Sequence, residues 1–189
     1  MYSPNLFITD LQQETKKDTT QSERAASGYK FEQEIYNYIL KVLDIPLKSH
    51  NKILLFGGTL KKDRPDIYQK LVFAPTTGGF TGDIDIVMFD ESTKIPCLII
   101  STKTSIRERF YQVLCTQYMY SILYPSIRIW FVTKDSQLEF GTPNTPRQAR
   151  KMAEYFNIPC YVDNINTTCG GNIKPLSKIV DDIRVVFCT

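Results

Sequence analysis

The sequence predicts an α/β fold in a single domain. Stripes of apolar residues at helical spacing alternate with short apolar runs that read as strands. Two of those runs are joined by a short turn, as in a hairpin. A chain of 189 residues, 42% hydrophobic and 23% charged, is long enough for one substantial core. That composition excludes wholesale disorder, a collagen-like repeat and a disulfide-dense mini-protein.

In order along the chain, residues 1–26 read as an N-terminal arm, because 9–26 are polar with little apolar periodicity. A helix is predicted from about Gly28, with Phe31, Ile35, Tyr38, Ile39 and Val42 on one apolar stripe, ending before Pro46. The run 52–56 (KILLF) is a short buried strand closed by Gly57 and Gly58, and 71–74 (LVFA) is a second candidate. Residues 83–89 (DIDIVMF) and 96–103 (PCLIISTK) form the hairpin, preceded by the Gly-rich loop 76–82. A helix follows, with Ile106, Phe110, Val113, Leu114 and Gln117 on one face and Ser105 and Glu108 at capping-box spacing. The run 127–132 (IRIWFV) is a buried strand, 145–156 a helix with Pro146 in its first turn, and 158–162 a strand whose Pro159 suggests an edge. The stretch from Pro175 to Phe187 is compatible with either helix or strand.

Composition narrows the chemistry. The net charge of +3 is too small to identify a nucleic-acid binder unless the positive residues gather on one face. The five cysteines include no CxxC pair, which removes support for a zinc finger or a thioredoxin-type site and suits free thiols in a reducing compartment. The one histidine, His50, lies in a polar stretch that reads as a loop, so no Ser-His-Asp arrangement exists without it. Neither a signal peptide nor a long apolar span is evident, so the expected location is cytoplasmic, with no membrane partner.

The hairpin carries the candidate chemistry. Side chains alternate along a strand, so Asp83, Asp85 and Val87 share one face, as do Ile99, Ser101 and Lys103 on the return strand. Lys103 therefore ends a strand that is otherwise apolar, where its ammonium needs a partner. Asp83 and Asp85 are the nearest acids in the hairpin. Two carboxylates and a lysine at the mouth of a sheet suit a divalent cation such as Mg²⁺, which takes one or two carboxylates and completes its shell with waters and substrate phosphate. Each aspartate has a plainer reading as a turn residue; the combination is more specific than its parts.

Residues 82–112, GDIDIVMFDESTKIPCLIISTKTSIRERFYQ, resemble the catalytic hairpin and following helix of PD-(D/E)xK nucleases, and among these the type II restriction endonucleases. The resemblance extends to the first helix, SGYKFEQEI from Ser27. It implies a restriction-endonuclease-like core with a central mixed sheet of four to five strands flanked by helices. By position, Asp85 corresponds to the metal-binding Asp, with Asp83 as the alternative, and Lys103 to the motif lysine. The chain departs from the motif at Ser101, where the second acid is usual. Some members carry Ser-x-Lys and take that acid from the next helix, which makes Glu108 a candidate metal ligand, although its capping-box spacing explains it equally well. Glu32 is the other candidate, about 60° from Ile35 on the helical wheel at the edge of the buried stripe.

For DNA contacts, Arg107 and Arg109 open the helix after Lys103, and Lys61, Lys62 and Arg64 form a second basic cluster. Arg147, Arg150 and Lys151 form a third, on one face of the later helix. The resulting expectation is a Mg²⁺-dependent type II restriction endonuclease acting on double-stranded DNA, with Mn²⁺ able to substitute. It would work as a homodimer, or as a heterodimer with a larger subunit. The alternatives are a junction-resolving or repair nuclease of the same fold, and a DNA-binding or assembly subunit whose nuclease site has decayed.

Overall fold

The computed structural model describes residues 21–73, 78–106 and 109–188. The N-terminal arm up to residue 20, Ala74 at the end of the candidate strand, and Arg107 and Glu108 lie outside them. The elements run α1 (Gln21–Ser49), β1 (Lys52–Phe56), α2 (Gly57–Asp63), α3 (Pro65–Lys70), β2 (Ile86–Asp90), β3 (Pro96–Lys103), α4 (Arg109–Leu123), β4 (Arg128–Thr133), α5 (Gln148–Tyr155), β5 (Cys160–Val162), β6 (Ile173–Pro175) and α6 (Ile179–Phe187). The strands form one mixed sheet in sequence order. β1, β2 and β3 are antiparallel neighbours, whereas β3, β4, β5 and β6 run parallel.

Both sheet faces are covered, which is what a partly parallel sheet requires. One core joins Ile86, Met88, Leu98, Ile100, Trp130 and Val132 to α1 and α6. The other joins Val87, Phe89, Ile99 and Phe131 to the helices from α2 to α5. The period-2 split of the hairpin between these cores is the alternation visible in the sequence.

Several expectations are corrected. The sheet has six strands rather than four or five, because 173–175 adds β6. β5 is therefore interior, and Pro159 precedes it, where a missing N–H costs the ladder nothing; its carbonyl accepts the Phe131 N–H. Residues 71–73 make only a single bridge, Phe73 to Phe80. Helix α1 begins at Gln21, inside the supposed arm, and runs three residues past Pro46. The lost N–H falls in the last turn, and burial of Leu47 (1% exposed) outweighs it. The buried stripe of α1 is Phe31, Ile35, Ile39, Leu43 and Leu47, whereas Tyr38 and Val42 are exposed. Pro146 pairs with Gly141 ahead of α5 instead of sitting in its first turn.

Arg150 also departs from its surface reading. It is fully buried. Its Nε donates to the Phe140 carbonyl at 3.2 Å, Nη1 to that of Gly170 at 3.1 Å, and Nη2 to those of Gly141 at 3.4 Å and Thr168. One guanidinium thus ties the loop after β4 to the loop after β5. Asp135, also buried, makes a second tie by accepting the Glu139 N–H at 2.6 Å and the Thr167 hydroxyl at 2.7 Å.

Candidate active site

The site lies at the end of the sheet where β3 finishes, and the hairpin register builds it. Ile86 pairs with Ile100. Carried on, that register sets Asp85 against Ser101 and Asp83 against Lys103. The ladder does not continue, because the Thr102 N–H goes to Asp85 Oδ2 at 2.6 Å. β2 therefore starts at Ile86 rather than Asp83, and a carboxylate replaces the backbone acceptor.

Lys103 Nζ lies 2.7 Å from Asp83 Oδ2 and 2.9 Å from Asp85 Oδ2, and is nearly buried. Ser101 Oγ donates to Asp83 Oδ2 at 3.0 Å, and Thr102 Oγ1 lies 3.3 Å from Asp85 Oδ2. Among the described residues, none of these bonds uses Oδ1 of either aspartate. Burial by itself would lower the Lys103 ammonium, but Asp85 and Asp83 hold it above the ordinary lysine value, so it stays charged. Burial and the neighbouring Asp83 raise Asp85, against the opposing pull of Lys103.

Glu32 enters this field from α1. Its carboxyl is pushed up to about 7, first by burial and then by Asp85 and Asp83, with Lys103 pulling the other way. Two carboxylates thus pair with Lys103, and a third lies within its field. A carboxyl raised in the folded state favours folding while it is protonated. In metal-free buffer this contribution is full below the unfolded value near 4.5 and is lost as pH rises through about 7. Chemical unfolding across that range is expected to show declining stability, and Glu32→Gln to flatten the decline. An unchanged slope would remove Glu32 from the site.

Several residues that hold the aspartates were not legible in the sequence. Gly57 donates its N–H to the Asp85 carbonyl at 2.7 Å, and a Cβ there would stand 2.0 Å from the Ile84 carbonyl oxygen. Thr116 Oγ1 accepts the Asp83 N–H and Tyr120 Oη the Gly82 N–H, both at 3.2 Å, so α4 fixes the strap leading into the site. Lys134, one residue past β4, stacks over the Phe31 ring at 4.9 Å and adds a second cation beside the Glu32 turn. Gly57→Ala is expected to cost about 1–3 kcal/mol through overpacking. The same change would displace the Asp85 backbone that the Gly57 N–H holds. Thermal melting checks this, and an unchanged melting temperature would argue against so close a fit.

The remaining candidates fall in different places. Arg109 is exposed at the start of α4, and Lys61 and Lys62 are exposed in the last turn of α2, whose first residue is Gly57. Arg64 is committed elsewhere, bridging Asp66 at 2.8 Å and Glu91 at 3.3 Å and lying over the Phe89 ring. Arg107 and Glu108 are outside the described residues. His50 caps the end of α1, its Nδ1 2.9 Å from the Pro46 carbonyl. All five cysteines are free.

The donor set suits a small hard cation. Among the described residues, no three His, Cys, Asp or Glu side chains form a ready metal cage. Two convergent aspartates with open Oδ1 atoms match the sparse carboxylate set that Mg²⁺ uses.

Known proteins resemble this chain in sequence family and in fold. Residues 70–182 match the family described as BsaWI restriction endonuclease type 2. The fold is similar to that of the AgeI restriction endonuclease in its specific DNA complex, with TM-score 0.56 and 18% identity over 82% of this chain and 60% of that one. It is likewise similar to BsaWI in its pre-specific DNA complex, with TM-score 0.52 and 16% identity over 87% and 62% of the two chains. The chain thus spans about three fifths of the length of these structures. No curated protein matches it. Among the described residues, no helix is long and apolar enough to cross a membrane.

Proposed function

The chain belongs to the BsaWI family of type II restriction endonucleases, and from this premise we propose that it cuts double-stranded DNA at a specific sequence by Mg²⁺-dependent hydrolysis. The observation that carries this reading is the placement of Lys103 between Asp83 and Asp85 at the end of β3.

Asp83 and Asp85 would hold the cation, with Glu32 as the additional acid. Bound Mg²⁺ would polarise the phosphodiester and lower the pKa of a water. Lys103, kept protonated, donates hydrogen bonds that orient the attacking water and offset the charge developing on the phosphoryl oxygens. Ser101 supplies a hydroxyl donor to Asp83 where another acid would have competed for Lys103. Glu32, raised by burial and by the aspartates, would be available in its ionised form to a cation held there.

Cutting both strands with one site per chain calls for two chains, and we take the assembly to be a homodimer. From Phe110 to Leu123, α4 carries no charged residue, yet Cys115, Tyr118 and Ile122 are exposed along it. An uncharged exposed surface of this kind is the sort that pairs with another protein surface, and we assign it to a second copy.

The test is digestion of a plasmid panel with Mg²⁺ or Mn²⁺ and mapping of the ends. Discrete fragments cut on both strands are expected. Nicks alone would point to one half of a heterodimer, and cutting confined to branched or mismatched DNA to a repair nuclease. Metal uptake without cleavage would mark a decayed subunit.

A further inference from the structure

A second feature stands on the same end of the sheet and has no part in the chemistry above. Between the starts of α4 and α5 is a cavity of about 390 Å³, floored by Ile106 and Phe110 and rimmed by Tyr111, Glu139, Arg147 and Gln148. Its parts are held in place. Glu139 Oε2 accepts the Ile106 N–H at 2.9 Å, Gln148 Nε2 donates to Tyr111 Oη at 2.7 Å, and the Arg147 stem lies against Gly141, where a Cβ would come within 3.0 Å of it. The Arg147 guanidinium is left exposed, and among the described residues it makes one long hydrogen bond, 3.5 Å to the Gln137 carbonyl.

Building on the restriction-endonuclease reading, we propose that this cavity reads a base pair of the bound duplex, with Arg147 donating to O6 and N7 of a guanine in the major groove. Three considerations select that ligand. The first is reach. Ile106 is three residues beyond Lys103, so it lies at most about 10 Å from that residue. A duplex rises about 3.4 Å per base pair, so Ile106 on the cavity floor lies within about three base-pair steps of Lys103. The second is chemistry. A guanidinium with free N–H groups is the side chain suited to bidentate contact with guanine, and Gln148, steadied by Tyr111, adds a second polar group on the same wall. The third is rigidity. Readout of a base edge needs donors that do not move, and Arg150 and Asp135 pin the loops behind Arg147 from beneath.

The experiment selects duplexes from a randomised library by binding to the full-length protein and to its Arg147→Ala and Arg147→Lys variants, without divalent cation, and sequences what is retained. The cleavage preference of the same proteins is then mapped with Mg²⁺. The expected result is that both variants lose preference for guanine at one position by about 5- to 150-fold, the rest of the site being unchanged. Uniform weakening over all sequences would make Arg147 a phosphate contact and overturn the proposal, as would an unchanged preference. If the wild type selects no sequence at all, both the proposal and the restriction reading fall. If it selects a sequence through Arg147 but does not cut it, the base-reading assignment stands and the nuclease reading fails alone.

Discussion

Replacing Lys103 by alanine is expected to reduce DNA cleavage by about 10³-fold or more while the protein still folds. The size follows from what the ammonium does in the free protein. It sits 2.7 and 2.9 Å from two carboxylates and is the cation that holds their charges together. Without it, Asp83 and Asp85 face each other in a site that is largely closed, and one of them takes up a proton. The variant therefore loses both the donor that would orient water and an ionised aspartate to bind metal. Stability carries a distinguishing signature. With Lys103 gone, Asp85 rises further above its unfolded value, so its protonated form favours the fold. That contribution is present in acid and lost as pH rises through the folded value. Lys103→Ala should thus be closest to the parent at acid pH and fall behind it toward alkaline pH. Single-turnover cleavage and unfolding midpoints at several pH values test both parts. A variant that cuts as fast as the parent would end the catalytic assignment.

The largest effect on stability is expected from Arg150→Ala. Its fully buried guanidinium reaches four backbone carbonyls on two loops. Truncation removes a donor from all four, leaving Phe140 and Gly170 only the N–H groups of Arg147 and Ile173, and opens a cavity beneath both loops. A loss of about 3–5 kcal/mol is expected. For a chain of this size that corresponds to a drop in melting temperature of about 6–20 °C. Arg150→Lys should recover little of it, since a single ammonium cannot span four acceptors on two loops. Because Arg147 stands on one of the released loops, DNA selectivity should decline with Arg150→Ala well below its melting temperature. A melting temperature within 2 °C of the parent's, at the resolution of about one kcal/mol, would refute the clamp.

The hairpin and its chemistry were legible because they depend on local rules. Alternation put Asp83 and Asp85 on one face of their strand, and Ser101 and Lys103 on one face of the return strand, without knowledge of the fold, and the wheel placed Glu32 at the edge of a buried stripe. The residues that escaped notice act across long separations. Gly57 matters because a strand end almost 30 residues later passes beside it, and Thr116 and Tyr120 because α4 crosses the strap before Asp85. No periodicity encodes such meetings. Arg150 was misread for a related reason: a positive charge on a helix signals solvent only until the loops that cover it are known. Pro46 and Pro159 were given their usual local meanings, and in both places tertiary burial or strand order decided otherwise.

The Arg150 clamp has an evolutionary consequence. Every one of its hydrogen bonds ends on a main-chain oxygen, so the clamp holds the path of the two loops without depending on the side chains they carry. Substitutions along those loops can alter the side chains they present while the anchor beneath them stays unchanged. Such a division between a fixed route and variable content would let the loops change in sequence without passing through unfolded ancestors.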